Sequence, residues 1–461
     1  MTAIGCSGTG QDAVLPGRVV GAPIVIVGLG YGDESKGATV DFLASQISDV
    51  AAVVRWSGGA QAAHNVCHGG RHHTFRQFGS ASLLDVRTVL RAPMMVNPLN
   101  LAVEAGELAD LGVLDPFGLI TGDARCLVTT PVHVAMNRAR ELLRGNNRHG
   151  STGEGIGETT AYDLAVSAQA RAGSWIGNFP IHIDAPSVPA PTLATLRDRA
   201  GTVRALDALA AYAEPLLAAA GTGGLPESVE TMADALCEIA GHIRIIDDVD
   251  AHLVDTMAAG TALFEGSQGV LLDEWNGFHP YTTWSTVVPT ALVAWLARMG
   301  HSPYVLGLTR CYATRHGAGP MPTEDPALDL PDVHNREGRY QGGWRTGHLD
   351  LPALRYATAI TGQLDGIAVS HLDVLGATDL QVADAWAGDR NPLTPATGTD
   401  LTALEGLTAC AAAAHPDYRP LPVGGEAVTD LISTATGTPV VVAAAGPQRT
   451  DRRVLCPTTA F

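Results

Sequence analysis

Lys36 is the only lysine among 461 residues, and it lies within Gly28-Leu29-Gly30-Tyr31-Gly32-Asp33-Glu34-Ser35-Lys36-Gly37. Every other fixed cation is an arginine. A compact ammonium fits among phosphate oxygens where a planar guanidinium does not, so one lysine kept in a glycine-rich turn points to phosphate binding. The turn is not a Walker A loop, which needs glycine and Ser or Thr where this chain has Ser35 and Gly37. Asp33 and Glu34 oppose simple anion binding, but such acids make sense beside a phosphate if one holds Mg²⁺ or acts as a base. As an alternative, Asp33 serves only as a first-turn acid or N-cap.

The flanking elements support the first reading. Ile24-Val25-Ile26-Val27 reads as a buried strand, and Thr39 to Ser48 as the helix after the turn. Strand, turn and helix together aim backbone N–H groups and a helix dipole at one point. Further strands are expected at Ala52-Val53-Val54, Thr88 to Leu90, Leu263-Phe264, Tyr304 to Leu308, Ile367 to Val369 and Val440 to Ala443. Alternating with helices, they predict an α/β fold with a mostly parallel central sheet and ligand loops at the carboxyl ends of its strands. Pro191 to Ala220 and Glu227 to Met257 read as a helical excursion, and Ala387 to Pro420 is left unassigned.

Composition narrows the function classes. A net charge of −18 argues against a general nucleic-acid binder. No apolar run is long enough to span a membrane, and residues 1–22 read as a flexible extension without the apolar stretch of a signal peptide. Seven scattered cysteines show no metal-ligand spacing, which reads as free thiols in a cytoplasmic protein. Residues 23–461 are expected to form a single large domain.

The loops carry an ordered set of motifs: Arg55-Trp56-Ser57-Gly58-Gly59-Ala60-Gln61-Ala62-Ala63-His64, Gly150-Ser151-Thr152-Gly153-Glu154-Gly155-Ile156-Gly157, Glu265-Gly266-Ser267-Gln268-Gly269, Pro280-Tyr281-Thr282-Thr283, Thr314-Arg315-His316-Gly317, Arg345-Thr346-Gly347, Ser370-His371-Leu372-Asp373 and Gly446-Pro447. In this order they resemble the adenylosuccinate synthetase family, from about Ile24 to Arg449. The resemblance implies a homodimeric ligase that uses GTP and Mg²⁺ to phosphorylate the 6-oxygen of a purine nucleotide, which aspartate then displaces. On this basis Asp33 is the base and a Mg²⁺ ligand, Ala63 supplies a carbonyl to the metal, and His64 donates to the transferring oxygen. Gly32, Glu34, Lys36 and Gly37 surround the GTP phosphates. His371, Asp373, Gly446 and Pro447 form the guanine pocket, with Asp373 accepting from the guanine N1–H and amino group. Gln61, Thr152, Gln268, Thr283, Arg339 and Arg345 bind substrate. Read without the resemblance, His64 serves as a core or solvated histidine, Asp373 as a turn former, and Thr152, Gln268 and Thr283 as ordinary loop residues.

The departures cluster. Two arginines that clamp aspartate in the family fall on Gly342 and Trp344, and an arginine of the substrate loop is Glu154. Arg339 is the nearest replacement for the clamp, and Arg171 for the arginine that reaches across the family's dimer. Ser35, Ala38, Gln61, Ala63 and His371 replace glycine, lysine, asparagine, glycine and lysine. The GTP side is kept and the amine side rebuilt. Three readings follow: an adenylosuccinate-forming ligase, a paralogue of specialised metabolism with another amine or acceptor, and a non-catalytic GTP-binding regulator. A simple GTPase or kinase would not need the Asp33–His64 pair.

Overall fold

The computed structural model describes residues 14–145, 150–167, 186–328, 330, 342–396, 398 and 400–455. Its strands begin with β1 (Ile24–Gly28), β2 (Val50–Arg55), β3 (His64–His68), β4 (Arg71–Phe75), β5 (Arg87–Leu90) and β6 (Ile120–Asp123). There follow β7 (Arg244–Ile246), β8 (Thr261–Gly269), β9 (Tyr304–Arg310), β10 (Ala313–His316), β11 (Trp344–Gly347) and β12 (Leu349–Asp350). The last are β13 (Gly366–Ser370), β14 (Gln381–Trp386), β15 (Pro416–Pro420), β16 (Val440–Ala444) and β17 (Arg452–Val454). Ten of these form one sheet in the order β17-β16-β13-β9-β1-β8-β2-β5-β6-β7. All its pairings are parallel except that of β17 with β16.

Each strand expected from sequence falls in this sheet. The reason is visible in β1, where all five residues are buried because helices cover both faces. Ile24 and Ile26 pack with Val40 and Leu43 of α1 (Lys36–Gln46), while Val25 and Val27 join the opposite cluster with Leu292, Trp295 and Leu354. Truncating a fully buried residue of these layers, such as Phe264 to alanine, costs about 3–5 kcal/mol.

The helical excursion needs correction at one place. Helices α2 (Pro98–Asp110), α3 (Pro131–Arg144), α4 (Ile156–Ser167), α5 (Arg199–Ala220) and α6 (Val229–Ala240) build a second core beside the β5–β7 end. The stretch from Glu227 to Met257, read as part of the helical excursion, also contains β7, which pairs with β6. Gly241 ends the preceding helix, and the isoleucines at 243, 245 and 246 favour a strand. The unassigned stretch contains a helix, Leu401–Ala412, and the whole of β15.

The described part of the N-terminal extension packs on the sheet instead of hanging free. Leu15 is fully buried, and Arg18 donates from Nη2 to Thr261 Oγ1 at 2.8 Å.

Candidate active site

The glycine-rich turn joins β1 to α1, so its amides lie at the carboxyl edge of the sheet beside β8 and β9. Ser35 takes the N-cap position in the left-handed region (φ 60°). Lys36 is buried, its Nζ donating to Gly32 O at 2.6 Å and lying 3.4 Å from Glu34 Oε2. Gly32 N–H donates to Glu34 Oε1 at 2.8 Å, so the Glu34 carboxylate folds back into the turn against Gly28 and Gly30. An acid that looked out of place from sequence thus satisfies the lysine and the loop amide. Gly37 has a separate role. A Cβ there would stand 2.7 Å from the Cβ of His64, so only glycine lets His64 pack onto the first turn of α1.

His64 opens β3, and its Nδ1 lies 2.6 Å from Glu265 Oε1. Glu265 lies fully buried in β8, in register with Arg55 on β2, and accepts from Ser80 N at 3.0 Å and from Ser80 Oγ. Burial alone would raise this carboxyl. The Arg55 guanidinium, His64 and Ser80 outweigh it and hold Glu265 down at about 2. Burial pushes His64 down to about 4, against the pull of Glu265. At neutral pH the pair is therefore a carboxylate accepting from Nδ1–H of a neutral imidazole, which leaves Nε2 unprotonated. The sequence reading assigned Glu265, Ser80 and Arg55 no role. The available signal was Arg55 and Glu265 ending apolar strands, where buried charge requires a partner.

Asp33 keeps a partly exposed carboxylate, with Oδ2 4.0 Å from Nε2 of His316. Its carbonyl accepts from Arg310 Nε. Ala63 is exposed just before His64. Among the described residues no group of three or more His, Cys, Asp or Glu side chains could hold a metal by itself.

On the other side of the turn, Gln61 and Gln268 flank Gly58 and Gly59. The amide nitrogen and oxygen of both are buried with no hydrogen-bond partner among the described residues. Each such atom costs about 1–3 kcal/mol if left unpaired, so two idle amides in one cleft fit a polar ligand. Thr152 belongs to the loop leading into α4, where Asn137 fixes Ser151 (2.9 Å) and the Gly155 N–H (3.1 Å). Thr283 donates its N–H to Leu272 O at 2.8 Å, near the exposed Trp284. Glu154 accepts from Asn100 Nδ2 at 2.8 Å, a contact that binds it to α2.

At the ends of β13 and β16 stand His371, Asp373, Gly446 and Pro447. His371 has φ 62°, with Nδ1 2.9 Å from Ser370 Oγ and its ring edge-on to Tyr312. Burial and the Arg310 and Arg452 charges push its pKa well below the usual value. Asp373 and Pro447 are exposed. Gly446 (φ 146°) lies against the Asp451 carboxylate, which accepts from Gln448 N at 2.8 Å. This arm is tied to α1 by Arg449, which donates to both oxygens of buried Asp41 at 2.7 Å.

Arg345 of β11 is held by protein partners. Its guanidinium donates to both oxygens of Glu324 and, at 2.9 Å each, to the carbonyls of Gly317 and Gly319. Arg339 and Arg171 lie outside the described residues. The five described cysteines, Cys67, Cys126, Cys237, Cys311 and Cys410, are free.

Known proteins resemble this chain in sequence and in fold. The family model for adenylosuccinate synthetase matches residues 25–453. The adenylosuccinate synthetase of Paraburkholderia phytofirmans is 31% identical, covering 96% of this chain and 97% of its own. That of Methylococcus capsulatus is 34% identical over 76% of this chain and 77% of its own. Among solved structures, the fully ligated adenylosuccinate synthetase of Plasmodium falciparum superposes with a TM-score of 0.72 at 20% identity, covering 94% of this chain and all of that one. A cyanophage S-2L succinoaminodeoxyadenylate synthetase bound to dGMP and dATP superposes at 0.55 with 16% identity, over 95% and 96% of the two chains. The chain belongs to the adenylosuccinate synthetase family.

Proposed function

We propose that this protein phosphorylates the 6-oxo group of an IMP-like purine nucleotide with GTP and lets an amine displace the phosphate, the family's amine being aspartate. As a family member it is a GTP-dependent carbon–nitrogen ligase. The observation that carries the reading is the contact of Gly37 with His64. It joins the phosphate turn to the His64–Glu265 pair, with Asp33 in the same turn and the idle amides of Gln61 and Gln268 alongside.

In this reading Asp33 takes the N1 proton, so that electron density moves to O6. O6 forms a bond to the γ-phosphorus as the bond from phosphorus to GDP breaks, and Lys36 with the turn amides steadies the charge. The amine then attacks C6, Nε2 of the neutral His64 takes the proton the amine loses, and Glu265 stabilises the resulting imidazolium. Nε2–H gives that proton to the phosphate as the C6–O bond breaks and phosphate leaves. Asp33 and Ala63 would offer one carboxylate and one carbonyl to a Mg²⁺ ion. When bound, the ion neutralises charge on the γ-phosphate. Asp373 reads guanine, with Gly446 and Pro447 as the other wall. A homodimer in the cytoplasm completes the proposal, and no helix among the described residues is long and apolar enough to cross a membrane.

The test is phosphate release from GTP with Mg²⁺ and inosine monophosphate, with and without aspartate, with products followed by mass. The ligase reading expects release that requires both acceptor and amine, a nitrogen adduct, and loss of both with Asp33→Ala. Hydrolysis indifferent to the acceptor would instead mean a GTPase, and binding without release a regulator.

A further inference from the structure

We propose that Asn137 is a positioning residue that makes Ser151 a hydrogen-bond donor to the anionic group of the acceptor nucleotide. The inference rests on the ligase reading above and adds two residues to the acceptor side of that site. Asn137 is buried in the second turn of α3, and its amide bridges the two ends of the loop that carries Thr152. Oδ1 accepts from the Gly155 N–H at 3.1 Å, and Nδ2 lies 2.9 Å from Ser151 Oγ. Chemistry fixes the sense of both contacts. A backbone N–H only donates, so the amide oxygen faces Gly155 and the NH₂ faces Ser151. The NH₂ also only donates, so the serine oxygen accepts and its hydrogen is left for a third group. An aspartate at 137 could make the same two contacts, but only by taking the Ser151 hydrogen.

The loop depends on this bridge. Gly150, Gly153 and Gly155 have φ of 78°, 80° and 82°, so the backbone between the two contacts has little restraint of its own. Gly155 packs onto α3, where a Cβ would stand 2.8 Å from the His133 carbonyl carbon and the Val134 nitrogen. The next residue, Ile156, opens α4 and closes onto the cleft. A Cβ on Gly59 would meet Ile156 Cδ1 at 2.6 Å and Gln61 Oε1 at 3.2 Å. The loop is thus joined to the cleft wall that holds the unpaired amide of Gln61.

The carboxylates of this stretch are engaged by the protein. Glu158, in the first turn of α4, pairs through both oxygens with the buried Arg140. Glu154 accepts from Asn100 of α2 at 2.8 Å. The start of α4 and the Ser151 hydroxyl therefore offer donors on one loop, which suits a phosphate more than an uncharged group.

The test measures binding to the full chain by isothermal titration calorimetry, with inosine monophosphate and with inosine, which lacks the phosphate. Ser151→Ala should raise Kd for inosine monophosphate about tenfold, the worth of one charge-assisted hydrogen bond, and leave Kd for inosine unchanged. Asn137→Asp should do the same, because its carboxylate keeps both contacts and takes the Ser151 hydrogen. In the Ser151→Ala background that second substitution should cost less than about threefold, whereas charge repulsion alone would cost as much in either background. In turnover with GTP, Mg²⁺ and aspartate, both single variants should raise KM for inosine monophosphate with kcat and KM for GTP unchanged. Equal losses for nucleotide and nucleoside overturn the proposal, as does unchanged affinity in Ser151→Ala. So does an Asn137→Asp cost that stays whole without the serine hydroxyl. If Asn137→Asp does not fold, the Ser151→Ala comparison decides alone. Binding of inosine monophosphate without phosphate release from GTP removes the ligase reading and leaves the binding comparison to decide this one. No binding of inosine monophosphate removes both.

Discussion

Glu265 and His64 meet at 2.6 Å in full burial, and Arg55 lies beside Glu265 in the sheet register, so the imidazole cannot change its protonation independently of the carboxylate. Replacing Glu265 with glutamine keeps the shape but removes the anion that stabilises an imidazolium. We expect kcat to fall about 10²-fold or more with little change in KM for GTP. Ser80→Ala removes one donor to Glu265 and leaves every charge in place, so it should cost about tenfold in kcat. Steady-state kinetics at saturating GTP check both, and an unchanged kcat in the pair would separate His64 from the chemistry.

Acid should destabilise the fold from a particular pH window. His133 is fully buried in α3, and its Nδ1 accepts from Thr130 N–H at 3.1 Å, which requires the neutral ring. Burial pushes it down to about 3. The unfolded chain takes up a proton below the ordinary value of 6.5 while the folded chain does not. Stability is therefore fully present above pH 6.5 and drains away as pH falls toward 3, and His64 acts with the same sign down to about 4. Each histidine contributes a slope of about 1.4 kcal/mol per pH unit. His133→Gln, whose side chain can still serve the Thr130 N–H, should give a shallower acid limb in melting temperatures measured between pH 4 and 8.

The glycine-rich turn between β1 and α1 and the sheet were legible because they are local. Ile24 to Val27 declares a strand covered on both faces, and a lone lysine among glycines declares its loop. The Glu265–His64 contact spans 201 residues of sequence and the Arg449–Asp41 pair spans 408, so no window of the sequence contains either. β7 was missed because three residues after a helix are too few to show a period of two. The pairing of Arg345 with Glu324 was not legible either, because it depends on the bridge between Glu324 and Gly347, which tertiary structure alone supplies.

Arg449 should matter to stability as well as to the base pocket. It is the bidentate partner of Asp41, whose side chain is 1% exposed. Arg449→Ala leaves that carboxylate buried and unpaired, for an expected loss of about 3–5 kcal/mol in urea unfolding. Arg449→Ala combined with Asp41→Ala should recover a large part of it, because the uncompensated charge is then gone.

Lys36 tests why one lysine was kept. Its Nζ reaches Gly32 O at 2.6 Å inside a closed turn, where a guanidinium cannot sit without displacing Glu34. Lys36→Arg should therefore be as inactive as Lys36→Ala, each losing about 10²–10³-fold in kcat. An arginine variant with near-normal turnover would mean that the lysine supplies charge alone.

Asp373 supplies the last test. It is exposed just after β13, two residues beyond the half-buried His371, in the short helical turn Leu372–Val374. Guanine offers this carboxylate two donors, N1–H and the 2-amino group, whereas hypoxanthine offers only N1–H. The carboxylate should therefore prefer GTP to inosine triphosphate by about tenfold, the worth of one charge-assisted hydrogen bond. Asp373→Asn weakens both contacts, because an amide accepts less strongly and its NH₂ opposes a second donor. KM for GTP should rise more than that for inosine triphosphate, and the preference between the two should shrink toward unity. Equal KM ratios before and after the substitution would show that guanine is read elsewhere, with the arm carrying Gly446 and Pro447 as the place to look.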